Sequence, residues 1–200
     1  MFVAVVPPAA VLEALGEHLA AVRRDDGRLM QVPQLRWTPP DQWHVTLAFL
    51  AAVPGAVLPD LTDRLRRGTG RRQAFETRIT GAGAFSRAKQ ARVLWAGILD
   101  DEGALRQLAD MVRAAASRAG LEVEGNRFRP HITLGRVAGR PLDLTAVVGA
   151  LDDCAGPVWR VTEVVLVASH LGKGEGGRPR YERVAAFPLS PAFADEVRPR

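Results

Sequence analysis

Two tetrapeptides, His44-Val45-Thr46-Leu47 and His131-Ile132-Thr133-Leu134, repeat one order of side chains: imidazole, β-branched apolar group, threonine hydroxyl, leucine. They stand 87 residues apart and hold two of the chain's four histidines. On a β-strand successive side chains point to opposite faces, so each His shares a face with its Thr. Imidazoles titrate near neutrality, so one of a pair can be neutral while the other is protonated. One then takes a proton from water while the other gives a proton to a leaving oxygen. That division suits in-line displacement at phosphorus. The threonines would hold non-bridging oxygens, and the protonated His would place positive charge where negative charge develops. At average residue usage such a tetrapeptide is expected at roughly one position in 10⁵, which sets the repeat apart from coincidence.

Rival chemistries fit less well. A zinc site needs three or four His, Cys or carboxylate ligands, and Asp41 is the only carboxylate close to the histidine strands. There is no G-x-S-x-G elbow, and Gly172-Lys173-Gly174 lacks the P-loop spacing. No metal and no other cofactor is expected. The single Cys154 excludes an internal disulfide and reads as a small core residue. His18 reads as a solvated helix residue and His170 as incidental.

The elements that must position the tetrapeptides follow from periodicity. A buried strand is expected over 2–6 and a helix over Ala9–Arg24, with Leu12, Leu15, Leu19 and Val22 as its apolar stripe. Residues 25–42 read as a polar connection with breakers. The first His strand is expected over Trp43–Leu50 and a helix over Val57–Arg67. Arg64, Arg66, Arg67, Arg71 and Arg72 crowd that helix end, read as a solvated face ahead of an RNA-contacting patch. Strands are expected at Ala74–Thr80 and Ala91–Leu99, linked through Gly81, Gly83 and Ser86 as an antiparallel pair. A helix over Asp101–Ala119 leads to the second His strand, Phe128–Val137. A short helix at Leu142–Leu151, a strand at Val161–Ser169, a turn at Gly172–Gly177, a strand at Tyr181–Phe187 and a frayed tail complete the chain. This is a mixed α+β order with largely antiparallel pairing.

At 200 residues, 47% hydrophobic and 24% charged, the chain is long enough for a real core. The net charge of +5 permits a phosphate-bearing partner without requiring one. Arginine outnumbers lysine 25 to 2, which reads as codon bias. The N-terminus lacks a basic region before its apolar run, and no stretch reaches the length of a membrane span. A cytoplasmic monomer away from membranes is expected.

The paired motifs resemble those of the 2H phosphoesterases, most closely the bacterial and archaeal RNA 2′,3′-cyclic phosphodiesterases, historically called 2′-5′ RNA ligases. The resemblance rests on Phe2-Val3-Ala4-Val5, Trp43-His44-Val45-Thr46-Leu47-Ala48-Phe49-Leu50, Phe128-Arg129-Pro130-His131-Ile132-Thr133-Leu134-Gly135-Arg136, Ser169-His170-Leu171 and Tyr181. Ala51 departs from the glycine that often follows Phe-Leu in the family. The resemblance implies a single bilobal α+β domain over 1–200, each lobe contributing one H-x-T strand. It implies two largely antiparallel sheets with pseudo-twofold symmetry around a central cleft, and helices outside. It implies metal-independent hydrolysis of an RNA 2′,3′-cyclic phosphate, or a small cyclic nucleotide, to a 2′-phosphate. His44 would be the proton donor to the 3′ oxygen, His131 the proton acceptor from water, and Thr46 and Thr133 the phosphate ligands. The near-identical motifs do not themselves order the two histidines.

Arg136 and Phe49 each stand five residues past a motif histidine and are candidate substrate contacts, to phosphate or base and to base respectively. An odd offset points to the opposite face of an ideal strand, but Arg136 can still reach the cleft if its strand ends near Gly135; a surface charge is the equal alternative. Two further functions stay open: an RNA-end-binding module with vestigial hydrolysis, and a ligase running the reverse reaction.

Overall fold

The computed structural model describes residues 1–25, 27, 31–123 and 128–191. Among these the strands are β1 (Phe2–Val5), β2 (Leu35–Trp37), β3 (Val45–Phe49), β4 (Phe75–Thr77), β5 (Ile79–Phe85), β6 (Val93–Ile98), β7 (His131–Val137), β8 (Trp159–Val161), β9 (Glu163–His170) and β10 (Arg180–Pro188). The helices are α1 (Ala9–Asp25), α2 (Leu58–Thr69), α3 (Ala104–Arg118) and α4 (Thr145–Ala150). One large sheet runs β10-β9-β1-β3-β7-β6-β5 with β2 on the outer part of β7, and β4 and β8 form a small second sheet. All pairings are antiparallel. The α+β class and the two antiparallel sheets agree with expectation.

The large sheet is close to symmetric about its middle. β3 and β7 meet through one register pair, Val45 with Ile132, which are equivalent residues of the two tetrapeptides. Outward from that pair, β1–α1–β3 on one side matches β6–α3–β7 on the other: in each, a helix connects two antiparallel neighbours. One face of the sheet packs on the helices. Val3, Val5, Val45, Leu47, Ile132, Leu134, Val164 and Leu166 join Leu15, Leu19, Leu61, Leu65, Leu105, Leu108 and Val112 in one core. Val45 and Ile132 are fully buried, and burying an aliphatic side chain of that kind contributes about 1.5–3 kcal/mol. The opposite face of β1 and β9 carries a small separate cluster of Phe2, Ala4, Val165 and Val167, with Tyr181 against it.

Several boundaries move. β2 falls inside the stretch read as a polar connection and pairs Leu35, Arg36 and Trp37 with Val137, Arg136 and Gly135. The strand expected at 74–80 divides: β4 joins the small sheet, and β5 runs on to Phe85. Gly81 and Gly83, read as part of a turn, therefore lie inside β5. Gly81 sits at φ +58° where the β5–β6 register slips, a backbone that glycine adopts without strain. At Gly83 a Cβ would stand 2.2 Å from the Trp95 ring, so the missing side chain makes the room in which that indole lies. The strand expected at 161–169 likewise divides into β8 and β9. Of the frayed tail, residues 192–200 lie outside the described residues. Before them Leu189 is buried and the Ser190 N–H donates to the Arg72 carbonyl at 2.8 Å, so the chain stays docked past β10. Among the described residues no helix is long and apolar enough to cross a membrane.

Candidate active site

Each tetrapeptide bends its strand at the same place. In β3, Ala4 of β1 pairs with Thr46 and Val3 with Ala48, so Leu47 is an extra residue. In β7, Trp95 of β6 pairs with Thr133 and Leu94 with Gly135, so Leu134 is an extra residue. A bulge places two consecutive residues on one side. Here Leu47 and Ala48, and Leu134 and Gly135, are buried. The alternation is thereby reset. Past the bulge Phe49 and Arg136 return to the face that carries His44, Thr46, His131 and Thr133. β7 continues to Val137, so Arg136 reaches this face through the bulge and not through a strand end near Gly135.

The imidazoles are held alike. His44 Nδ1 lies 2.7 Å from the Gln42 carbonyl oxygen, and His131 Nδ1 lies 2.7 Å from the Arg129 carbonyl oxygen. A carbonyl only accepts, so both Nδ1 atoms carry the hydrogen and donate it. Nε2 of each ring is left as the nitrogen that can exchange a proton. The residue that supplies each carbonyl is itself anchored. The Gln42 side-chain amide donates to the Pro179 carbonyl at 2.9 Å, and the Arg129 guanidinium lies over the Trp95 ring at 4.3 Å.

Aromatic rings enclose both histidines, in different geometries. Phe2 stacks on His44 with centroids 4.6 Å apart and planes 18° from parallel, and Tyr181 meets it edge-on at 5.5 Å. Phe85 meets His131 edge-on at 4.9 Å, with Trp95 tilted at 6.3 Å. Burial disfavours the charged ring. It pushes His44 down to about 4, against the Gln42 hydrogen bond that favours the cation, with His131 and Arg136 adding repulsion. His131 is lowered for the same first reason, again opposed by its carbonyl partner, with Arg136 and Arg129 as the repelling cations. Burial therefore holds both imidazoles towards the neutral form. The Arg136 charge disfavours the cationic form of both rings and favours the Tyr181 phenolate.

Two hollows flank this centre. Beside His131 a cavity of about 490 Å³ is lined by Thr46, Phe49, Phe85, Phe128, Arg129 and Arg113. Phe49 keeps 46% of its surface exposed, a large aromatic left open at the rim. Beside His44 a smaller hollow of about 180 Å³ is lined by Phe2, Asp41, Trp43, Val167 and Tyr181.

The structure thus gathers His44, Thr46, His131, Thr133, Arg136 and Phe49 on one face. Sequence reading missed Gln42 and Arg129, which act through carbonyls that every residue type carries, so their side chains give no signal. It also missed Phe85 and Trp95, which reach the site from neighbouring strands. The remaining candidates are explained elsewhere. Arg64 pairs with Asp60 at 2.8 Å, Arg66 with Asp63, and Arg72 bonds Gln107 at 3.0 Å, as a solvated helix face does. His18 lies 3.6 Å from Asp153, and His170 pairs with Glu182 at 3.1 Å. Cys154 is buried, and its thiol is pushed up to about 11 by that burial, away from a nucleophile's range. Among the described residues no three His, Cys, Asp or Glu side chains are grouped as a metal site.

Known proteins share this plan. The pattern of the 2′-5′ RNA ligase superfamily matches residues 9–173. An RNA 2′,3′-cyclic phosphodiesterase of Geobacillus stearothermophilus is 30% identical over 160 residues, covering 79% of this chain and 49% of that protein. The chain thus spans about half the length of that relative. An RNA 2′,3′-cyclic phosphodiesterase of Thermus thermophilus is 32% identical over 197 residues, covering 94% of this chain and 89% of that one. Among solved structures, Escherichia coli LigT complexed with 3′-AMP superposes with a TM-score of 0.67 at 28% identity, covering 94% of this chain and 96% of that one.

Proposed function

The chain belongs to the 2′-5′ RNA ligase superfamily, the 2H phosphoesterases, and from that premise we propose that it hydrolyses RNA 2′,3′-cyclic phosphates to 2′-phosphates by two-histidine acid/base catalysis. The observation that carries this reading is the pair of Nδ1–carbonyl clamps on one sheet face, which leave two Nε2 atoms beside a shared arginine. The relatives named above are RNA 2′,3′-cyclic phosphodiesterases. In this reading 1–200 is a single two-lobed domain, and each lobe gives one His strand.

The reacting phosphate sits between the two tetrapeptides. The Thr46 and Thr133 hydroxyls donate to its non-bridging oxygens, and Arg136 balances their charge as it grows. His131 Nε2 accepts a proton from water, whose oxygen attacks phosphorus. The bond from phosphorus to the 3′ oxygen breaks on the opposite side, and His44 Nε2–H delivers its proton to that oxygen. The products are a 2′-phosphate and a 3′-hydroxyl. His131 then holds the proton taken from water while His44 is left neutral, and exchange with solvent resets the pair.

Burial favours the neutral form of both rings, so the proton that His44 must donate is taken up from solvent as the substrate binds. A phosphodiester anion between the imidazoles favours the charged form of each, which offsets the desolvation and the Arg136 repulsion. Phe49, at the rim beside Thr46, offers a face on which the base of the terminal nucleotide can stack.

The test is turnover of a nucleoside 2′,3′-cyclic phosphate in the presence of EDTA. The reading requires multiple turnovers that persist in the chelator. No hydrolysis by the folded protein sinks it.

A further inference from the structure

Beyond the reacting phosphate, we propose that the cavity beside His131 holds a second phosphate, the phosphodiester on the 5′ side of the terminal nucleotide, and that Arg129 is the residue that binds it. This rests on the hydrolytic reading above and narrows its substrate class to RNA ends with at least a 5′-phosphate on the last nucleotide.

Arg136 and Arg129 occupy different places. Arg136 lies past the β7 bulge on the face of the two histidines, whereas Arg129, two residues before His131, is on the wall of the cavity, whose lining does not include Arg136. The reacting phosphate, which must lie between both imidazoles, falls to Arg136. The Arg129 guanidinium is already ordered over the Trp95 face at 4.3 Å, so little side-chain freedom is lost when an anion arrives. Arg113 of α3, paired with Asp110 at 3.6 Å, lies on the same wall, and among the described residues no carboxylate lines this cavity.

The size and lining suit a nucleotide. About 490 Å³ walled by Phe49, Phe85 and Phe128 accommodates a base and ribose, with Arg129 on the wall to meet a phosphate. A planar guanidinium matches phosphate oxygens in a bidentate fork. A second polar hollow makes the contrast. It measures about 440 Å³, beside the turn at 172–177, and there Lys173, Arg178 and Arg180 are interspersed with Asp41 and Glu175. Those carboxylates offset most of the positive charge there, and no aromatic ring but Tyr181 lines it among the described residues.

The experiment compares three substrates: a nucleoside 2′,3′-cyclic phosphate, the same compound carrying a 5′-phosphate, and a dinucleotide ending in the cyclic phosphate. The wild type should favour the second and third by about tenfold or more in kcat/KM, the size of one charge-assisted contact. Arg129→Ala should erase that preference, read as the ratio of kcat/KM among the three substrates within the variant, whatever turnover is lost on all of them through the His131 clamp. Arg129→Lys should restore part of it. Equal treatment of all three by the wild type overturns the proposal. So does an Arg129→Ala variant that loses activity equally on all three, since Arg129 would then serve the reacting phosphate. Calorimetry with a nucleoside 2′,5′-bisphosphate against the 2′-monophosphate separates this proposal from the hydrolytic reading, because it needs no turnover. The bisphosphate should bind about tenfold tighter to the wild type and no tighter to Arg129→Ala; equal binding to the wild type is again fatal.

Discussion

The strand of His44 and the strand of His131 bulge at equivalent leucines, clamp the imidazole through the carbonyl two residues earlier, and pair with each other at equivalent residues. They part five residues past the histidine, where one bears Phe49 and the other Arg136. Their surroundings part as well: a face-to-face ring on His44, an edge-on ring on His131. A symmetric backbone thus supplies two chemically equal bases, and the side chains around them break the tie. In the proposed reaction the cation and the aromatic at these matched positions give the anion and the base different places to bind.

The largest expected effect tests what the halves share. His44→Ala and His131→Ala should each lower kcat by 10²–10⁴, and the double variant should be little worse than the poorer single, since the two act as one unit. Near wild-type turnover in either single variant would break the equivalence.

The next tests what they do not share. Arg136→Ala should cost about 10²–10³ in kcat, the size of one donor aimed at developing charge. Phe49→Ala should mainly raise KM, by about tenfold, in line with about 1–3 kcal/mol for one stacked base. Similar losses in both, divided alike between kcat and KM, would mean that the matched positions do one job.

The pH profile is a finer probe. In the free protein both histidines are lowered from 6.5, His44 to about 4. A bell in kcat/KM reports the pair in the free enzyme, needing one ring protonated and the other neutral. Its maximum lies between the two ionisations and hence below pH 6.5. The bound anion raises both, so the maximum in kcat lies at higher pH. Profiles of kcat/KM that still climb above pH 7 would contradict the burial described here.

The smallest effect concerns the ring on His44. Phe2→Leu keeps an apolar side chain at a site only 3% exposed while removing the stacked ring. Water gains access to the imidazole, so its ionisation should move up from about 4 towards 6.5. NMR titration of the His44 ring should show that shift with His131 nearly unmoved; equal shifts in both would make the stacking geometry irrelevant.

Much of this comparison was legible in the sequence and part of it was not, for physical reasons. His and Thr at spacing two is a strand signal that survives any context, and the repeat itself pointed to paired chemistry. The bulges at Leu47 and Leu134 are different. Each exists only as a mismatch with a neighbouring strand, so a single chain segment read by alternation put Arg136 on the wrong face. β2 has three residues with a charged one in the middle, too short for a period to emerge. Gly81 and Gly83 read as turn formers because their local preference is for turns, while β5 uses one for a bulge and the other to seat Trp95. The clamps from Gln42 and Arg129 were invisible because a main-chain carbonyl has no letter.

The central claim is that a symmetric pair of histidines is made directional by Arg136 and Phe49, so that one bond of the cyclic phosphate is cut. Phosphorus-31 NMR of the products from a nucleoside 2′,3′-cyclic phosphate, recorded with EDTA present, tests it most directly. The account predicts the 2′-phosphate as the single product. A mixture of 2′- and 3′-phosphates, or the 3′-phosphate alone, would contradict it.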